Sequence, residues 1–300
     1  MQNYYDALTQ MKCGNCLLID GATATELERK GVPQLPNAWN GGGALTHPHV
    51  LKSVHKQYIS SGAGVVISNT FATCKHILED ADQLHNFEKL NSLGVQLARE
   101  AREELMRDDV LIAGGISYWS FTGNHPTLEV LEANISEQAE ILAYAGADLI
   151  MLEMMVDIDR MLVTLEAAQQ TDLPVWVGFS CIPDKNGRMC LENGDPLQEA
   201  IKHCHNKNVD LINIMHTDVA FVDECLDVLA QNWSGLVGVY AHSGKMIENN
   251  WTFNHIISPA DYTRLMKGWI ERGINLAGGC CGISSGHIEH MAKHLFDFSN

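Results

Sequence analysis

Near the C-terminal end of this 300-residue sequence, Gly278-Gly279-Cys280-Cys281-Gly282 carries two adjacent cysteines in a glycine-flanked turn. Adjacent cysteines rarely bond to each other, because so short a ring strains disulfide geometry. The flanking glycines let backbone approach whatever the sulfurs hold. Two thiolates suit a soft or borderline metal such as zinc, with a third ligand arriving from elsewhere. The competing role is a pair of small buried hydrophobes. Other chemistry-bearing side chains stand where apolar runs stop: Asp20 after LLI, Asn69 and Thr70 after VVIS, Glu153 after LIML, Ser180 after VWVGF and His216 after LINIM. Asp, Asn and Ser in such places also serve as helix caps. Glu153 is a poor cap, and a carboxylate closing so apolar a run is either met by a cation or raised in pKa.

His216 with Cys280 and Cys281 makes a set of three ligands, which leaves a fourth position open, as in catalytic rather than structural zinc. Asp20 and Glu153 could grip a cationic group such as a substrate ammonium. A thiol taken up by such a zinc is deprotonated at neutral pH, and a methyl group on a sulfonium or quaternary nitrogen is a fitting electrophile for it.

The elements that must position these residues alternate along the chain. Apolar runs at 16–20, 65–70, 110–115, 148–153, 175–180, 211–216 and 236–240, and from Ile274 into the cysteine turn, each precede a helical pattern. Strands this uniformly apolar are buried on both faces, as in parallel sheets. Eight such units predict an α/β fold, a single (β/α)8 TIM barrel spanning 1–300, with its site at the C-terminal strand ends. Asp20 and Glu153 are the catalytic candidates, and Gly21, Asn69, Thr70 and Ser180 at those ends join them as substrate-binding candidates. An open doubly wound sheet would show a glycine-rich phosphate fingerprint after its first strand, and only Gly21 follows Asp20 there. Residues 31–43, with two prolines and three consecutive glycines, form a loop long enough for a lid.

A formal net charge of -17, from 37 acidic against 20 basic residues, disfavours nucleic acid or an anionic membrane surface as partner. No apolar stretch approaches the roughly 18 residues of a membrane span, and the start MQNYYDALTQ lacks a signal-peptide layout. Nine cysteines, odd in number and irregularly spaced, predict reduced thiols in a cytoplasm. Cys13-Gly14-Asn15-Cys16 is a lone CxxC whose second cysteine starts a strand, with no second pair at zinc-finger spacing. His287, His290 and His294, at helical i, i+3, i+7 spacing, read as a solvated helix face, the alternative being a surface metal site. Trp39 and Trp251 lie in loops and either wall a cationic methyl donor by cation–π contact or simply cover the barrel rim.

Over nearly its whole length the chain resembles the homocysteine S-methyltransferases, zinc-dependent barrels that include betaine- and S-methylmethionine-using enzymes. The resemblance is carried by Asp20-Gly21 with Thr23 and Glu26-Leu27-Glu28-Arg29-Lys30-Gly31, by Ser68-Asn69-Thr70-Phe71, by Glu153, by Tyr240-Ala241-His242-Ser243-Gly244, and above all by Gly278-Gly279-Cys280-Cys281-Gly282. It implies that Cys280 and Cys281 bind zinc, that Glu153 and Asp20 help bind the amino acid acceptor, and that backbone near Gly21 contacts it. The departures are Ala22 where the family has a second glycine, Ala241-His242 in place of Pro-Asn, and Met215-His216 where Asn-Cys normally supplies the third zinc ligand. The role left to His216 off the metal is that of a helix N-terminal histidine bonded to backbone.

The expected activity is that of a cytoplasmic zinc transferase moving a methyl group from an onium donor (S-methylmethionine, a betaine or S-adenosylmethionine) to a small-molecule thiol, with homocysteine giving methionine. Its competitors are a metal-dependent hydrolase on the same fold, whose sites favour histidines and carboxylates over adjacent cysteines, and a non-catalytic zinc- or thiol-binding barrel.

Overall fold

The computed structural model describes residues 1–247, 250–252 and 256–296. Eight strands form one parallel sheet: β1 Leu17–Leu18, β2 Val65–Ile67, β3 Leu111–Ile116, β4 Leu149–Met155, β5 Val175–Phe179, β6 Val209–Asp218, β7 Leu236–His242 and β8 Leu276–Gly279. Each pairs with its neighbours in chain order, and β8 pairs with β1 in register Leu17↔Leu276. Between β2 and β1 a single bridge, Ile19↔Val65, brings the ladder nearly to closure. Each of the eight strands falls on one of the apolar runs. The physical reason is burial on both faces: every residue of β3, β4 and β5 is buried.

An outer ring of helices follows the strands, among them Pro48–Ser60, Phe87–Glu104, Leu128–Ala145, Ile158–Ala168, Leu197–Cys204, Val222–Asn232, Pro259–Glu271 and Ser285–Leu295. Their starts obey local chemistry. Thr127, Asp157 and Ser258 cap three of them by accepting a backbone N–H, and proline opens the helices at 48 and 259.

One feature was not read from the sequence, and a second corrects the reading of it. The polar start forms a helix, Gln2–Lys12, whose Tyr4, Leu8 and Met11 are buried at the N-terminal end of the barrel. There the Tyr4 hydroxyl reaches Asp210 Oδ2 at 2.7 Å and receives the Trp176 indole N–H at 3.0 Å. The signal was present as apolar side chains at 4, 8 and 11, one face of a helix. His287 is not on a solvated face. It is buried, closes a capping box with Ser284, and its Nε2 lies 2.9 Å from the Ile257 carbonyl. Among the described residues, no helix is long and apolar enough to cross a membrane.

Candidate active site

The C-terminal strand ends open into a cavity of about 1070 Å³ lined by Asp20, Gly21, Asn69, Glu153, His216, Cys280 and Cys281. Neither Thr70 nor Ser180 lines it. The Thr70 side chain is fully buried, donating to the Gly115 carbonyl at 2.7 Å. Ser180 sits behind the wall, its single hydroxyl 2.6 Å from Glu192 Oε1 and 3.0 Å from the His216 carbonyl. These two residues support lining groups rather than face the cavity themselves. The Trp251 side chain lies outside the described residues.

A metal-capable group forms where β6 and β8 end. His216 Nδ1 lies 3.4 Å from Cys280 Sγ, which lies 4.0 Å from Cys281 Sγ, and all three ligand atoms fall within 4.8 Å of one another. Backbone fastens the cysteine turn to β7: Cys280 N–H donates to the Ala241 carbonyl and Ser243 N–H to the Cys281 carbonyl. His216 itself adopts φ +43°, and Met154, next to Glu153, φ +52°. Each lies at a register shift, between Met215 and Asp218 or between Leu152 and Met155. Such backbone costs on the order of 1–3 kcal/mol for a non-glycine residue, and bulges of this kind re-aim side chains beside functional sites. Here they turn an imidazole and a carboxylate toward one mouth.

The electrostatics favour a cation. The Cys281 thiol, then burial, push the Cys280 thiol well above its ordinary range, with His216 opposing. The Cys280 thiol keeps its proton unless a positive ion takes its place, and two adjacent cysteines beside an imidazole are a donor set that fits a soft dication. Burial works against a charged His216, but Cys280, with Glu192 and Glu153 beside it, raises the imidazole on balance. Burial lifts the Glu153 carboxyl to about 8. Asp20 is raised well above its ordinary value, first by burial and then by Glu153, against the Ile67 amide that it accepts at 2.9 Å. Asp20, Glu28, Glu153, Glu192 and Asp218 put five carboxyl groups on the cavity wall, and no lysine or arginine lines it among the described residues.

Close packing fixes the turn after β1. A Cβ on Gly21 would lie 2.4 Å from the Ile283 carbonyl, so only glycine fits. Ala22 is accommodated at φ -69°, without left-handed backbone. Gly115 makes room for Glu153, whose Oε2 lies 2.7 Å from where a Cβ would be.

Among the other lining residues, Glu192, Trp119 and Phe121 carried no sequence signal, whereas Tyr240 and His242 belong to a stretch that carries the resemblance. Glu192 arrives from the hairpin of Cys181–Pro183 and Met189–Leu191, which interrupts the β/α alternation. The His242 ring centroid is 4.7 Å from that of His216, and burial, helped by His216, holds its imidazole down to about 3. Tyr240, near the end of β7, lines the cavity, and its buried hydroxyl has no hydrogen-bond partner among the described residues. Trp119 and Phe121 join Trp39 and Phe71 at the rim.

Comparison with known proteins agrees with this geometry. Residues 17–295 match the family model described as homocysteine S-methyltransferase. Homocysteine S-methyltransferase 1 of Zea mays is 27% identical over 312 residues, covering 95% of each chain. Selenocysteine Se-methyltransferase of Brassica oleracea var. italica is 27% identical over 316 residues, covering 94% of this chain and 89% of its own. In fold, the metallated homocysteine methyltransferase MmuM of Escherichia coli superposes with a TM-score of 0.77 at 23% identity, over 93% of this chain and 96% of that one. A match over nearly the full barrel places the chain in the homocysteine S-methyltransferase family, as a methyltransferase enzyme.

Proposed function

We propose that this barrel, with residues 1–300 as one folded unit, methylates a small thiol, homocysteine to methionine, using an onium donor, with zinc held by His216, Cys280 and Cys281. The observation that carries the reading is a three-ligand group open toward a cavity that has five carboxyl groups and no basic lining residue among the described residues. Zinc bound there would supply an acidic centre that lets an incoming thiol lose its proton at neutral pH. The rest is the work of the chain. Glu153 and Asp20 bind the acceptor ammonium and orient its sulfur toward the open side. Backbone at Gly21 lines the same side of the cavity. The Tyr240 hydroxyl awaits a polar group of the substrate, since a buried hydroxyl without a partner costs about 1–3 kcal/mol. Trp39, Phe71 and Trp119 offer aromatic faces to a cationic methyl donor. Holding sulfur and methyl carbon in line supplies much of the rate by proximity. Free thiols throughout the described chain are in keeping with a reducing cytoplasm.

The test is zinc per chain by elemental mass spectrometry on protein purified under reducing conditions, followed by a matrix of onium donors against thiols. About one zinc per chain and thiol-dependent methyl transfer are expected. Bound zinc without transfer from any sulfonium or quaternary ammonium donor would defeat the proposal and favour a diverged binding barrel.

A further inference from the structure

Two loops form one side of the cavity mouth: residues 31–43, carrying Trp39, and the loop after β3, carrying Trp119 and Phe121. Both rest on a short helix, Lys75–Asp80, inserted between β2 and the outer helix Phe87–Glu104. At its end, the Asp80 carboxylate accepts from the Thr122 hydroxyl at 2.5 Å and from Asn124 Nδ2 at 3.1 Å. Its main-chain carbonyl accepts from Asn37 Nδ2 at 2.8 Å. One turn earlier, His76 Nε2 lies 3.2 Å from the Trp119 carbonyl. Apolar packing repeats the pattern: Ala38, Ala72, Cys74 and Ile77 form a small buried cluster apart from the main core, with Leu35 and Phe71 against it. The helix is itself tied to the barrel wall, since Lys75 pairs with Glu137 and lies 5.1 Å over the Phe87 ring.

We infer that Asp80, outside the cavity, is a positioning residue that locks the two aromatic loops to one anchor and so sets the aperture through which the methyl donor enters. This rests on the methyl-transfer reading for its kinetic arm only. Asp80 touches none of the cavity's metal-capable or ammonium-binding groups. Its loss therefore acts on donor affinity, through the placement of Trp119 and Phe121, and leaves the acceptor end in place. Each loop also has its own tie, so each can be released separately.

The experiment measures amide hydrogen exchange of segments 34–41 and 117–124, together with donor and acceptor kinetics, in Asp80→Ala, Asp80→Asn and Asn37→Ala. Asp80→Ala is expected to lower protection of 117–124 and raise donor KM by about 5-fold or more, with kcat and acceptor KM within about 2-fold. Asn37→Ala, which keeps the carboxylate, is expected to release 34–41 with a similar change in donor KM. Asp80→Asn keeps an acceptor for Thr122 and should recover part of both readouts. Unchanged protection of both loops in Asp80→Ala and Asn37→Ala would overturn the anchor, and a fall in kcat at constant donor KM would overturn the role in donor entry. If no donor is turned over, the exchange arm still decides the anchor, separately from the methyl-transfer reading. Should Asp80→Ala not fold, Asn37→Ala, which removes one exposed amide, carries the test.

Discussion

Glu153 carries opposite demands. Its carboxyl is raised to about 8 by burial, so in the empty site it is protonated at pH 7, whereas gripping an ammonium needs the anion. Acceptor binding should therefore release a proton near pH 7 and tighten as pH rises toward 8, which calorimetry in two buffers of different ionisation enthalpy would read. The stability sign follows from the same shift. Folded, the group keeps its proton to about 8; unfolded, it loses it near 4.5, so the folded state binds the extra proton and stability falls as pH rises across that window. Glu153→Gln should raise the unfolding free energy at pH 7, by on the order of 3 kcal/mol at most, while weakening acceptor binding about 10- to 100-fold. Melting curves with acceptor titrations check both. A second prediction concerns His216. In a zinc centre held by His216, Cys280 and Cys281, a neutral imidazole would leave the thiolate-bound site one unit less negative than a third cysteine would, so the acceptor sulfur would be held more tightly and attack more slowly. His216→Cys should keep its zinc and transfer methyl faster; an equal or slower variant with zinc retained would sink this account.

Among the elements, β1 is the one whose integrity depends on a site residue. It has two residues and meets β2 through a single bridge, and the Asp20 carboxylate itself accepts the Ile67 amide there. Asp20 is thus both a closure of the barrel and a wall of the cavity. Asp20→Ala should cost about 1–3 kcal/mol, because a buried N–H loses its acceptor, whereas Asp20→Asn keeps an oxygen for Ile67 and should lose acceptor affinity with little change in stability. Denaturant unfolding of the two variants separates the roles. The bulges at the ends of β4 and β6 act on the same scale: they turn Glu153 and His216 out of the strand alternation, and strand alternation is all that an apolar run encodes.

For the whole molecule, an excess of 17 negative charges surrounds a mouth lined with carboxyl groups. That field draws cations and is screened by salt. Raising ionic strength from about 10 to about 150 mM shortens the Debye length from about 30 to about 8 Å. The value of kcat/KM for a net-cationic donor should fall several-fold, and that for a net-neutral zwitterionic donor by less than about 2-fold. Initial rates at limiting donor would show the difference, and equal salt slopes would remove charge as a factor in donor choice.

The sequence by itself pointed to the barrel: buried parallel strands are apolar along their length, as LIAGGI, LIMLEMM and VWVGF largely are, and eight such runs without a glycine-rich fingerprint after the first favoured a closed barrel over an open doubly wound sheet. It also marked Asp20, Glu153, His216 and the cysteine pair, since each ends such a run and the fold sends run ends to one mouth. Tertiary structure alone decided which of the marked residues face the cavity. Thr70 and Ser180 occupy strand ends as good as Asn69 and Glu153, yet hydrogen bonds to Gly115 and His216 hold them behind the wall. It decided too that His216 meets sulfur, through a left-handed residue at a bulge that no periodicity announces. Glu192 and the Asp80 anchor come from a hairpin and a six-residue helix outside the repeating β/α pattern. Their partners lie far along the chain, and only folding brings them within a hydrogen bond.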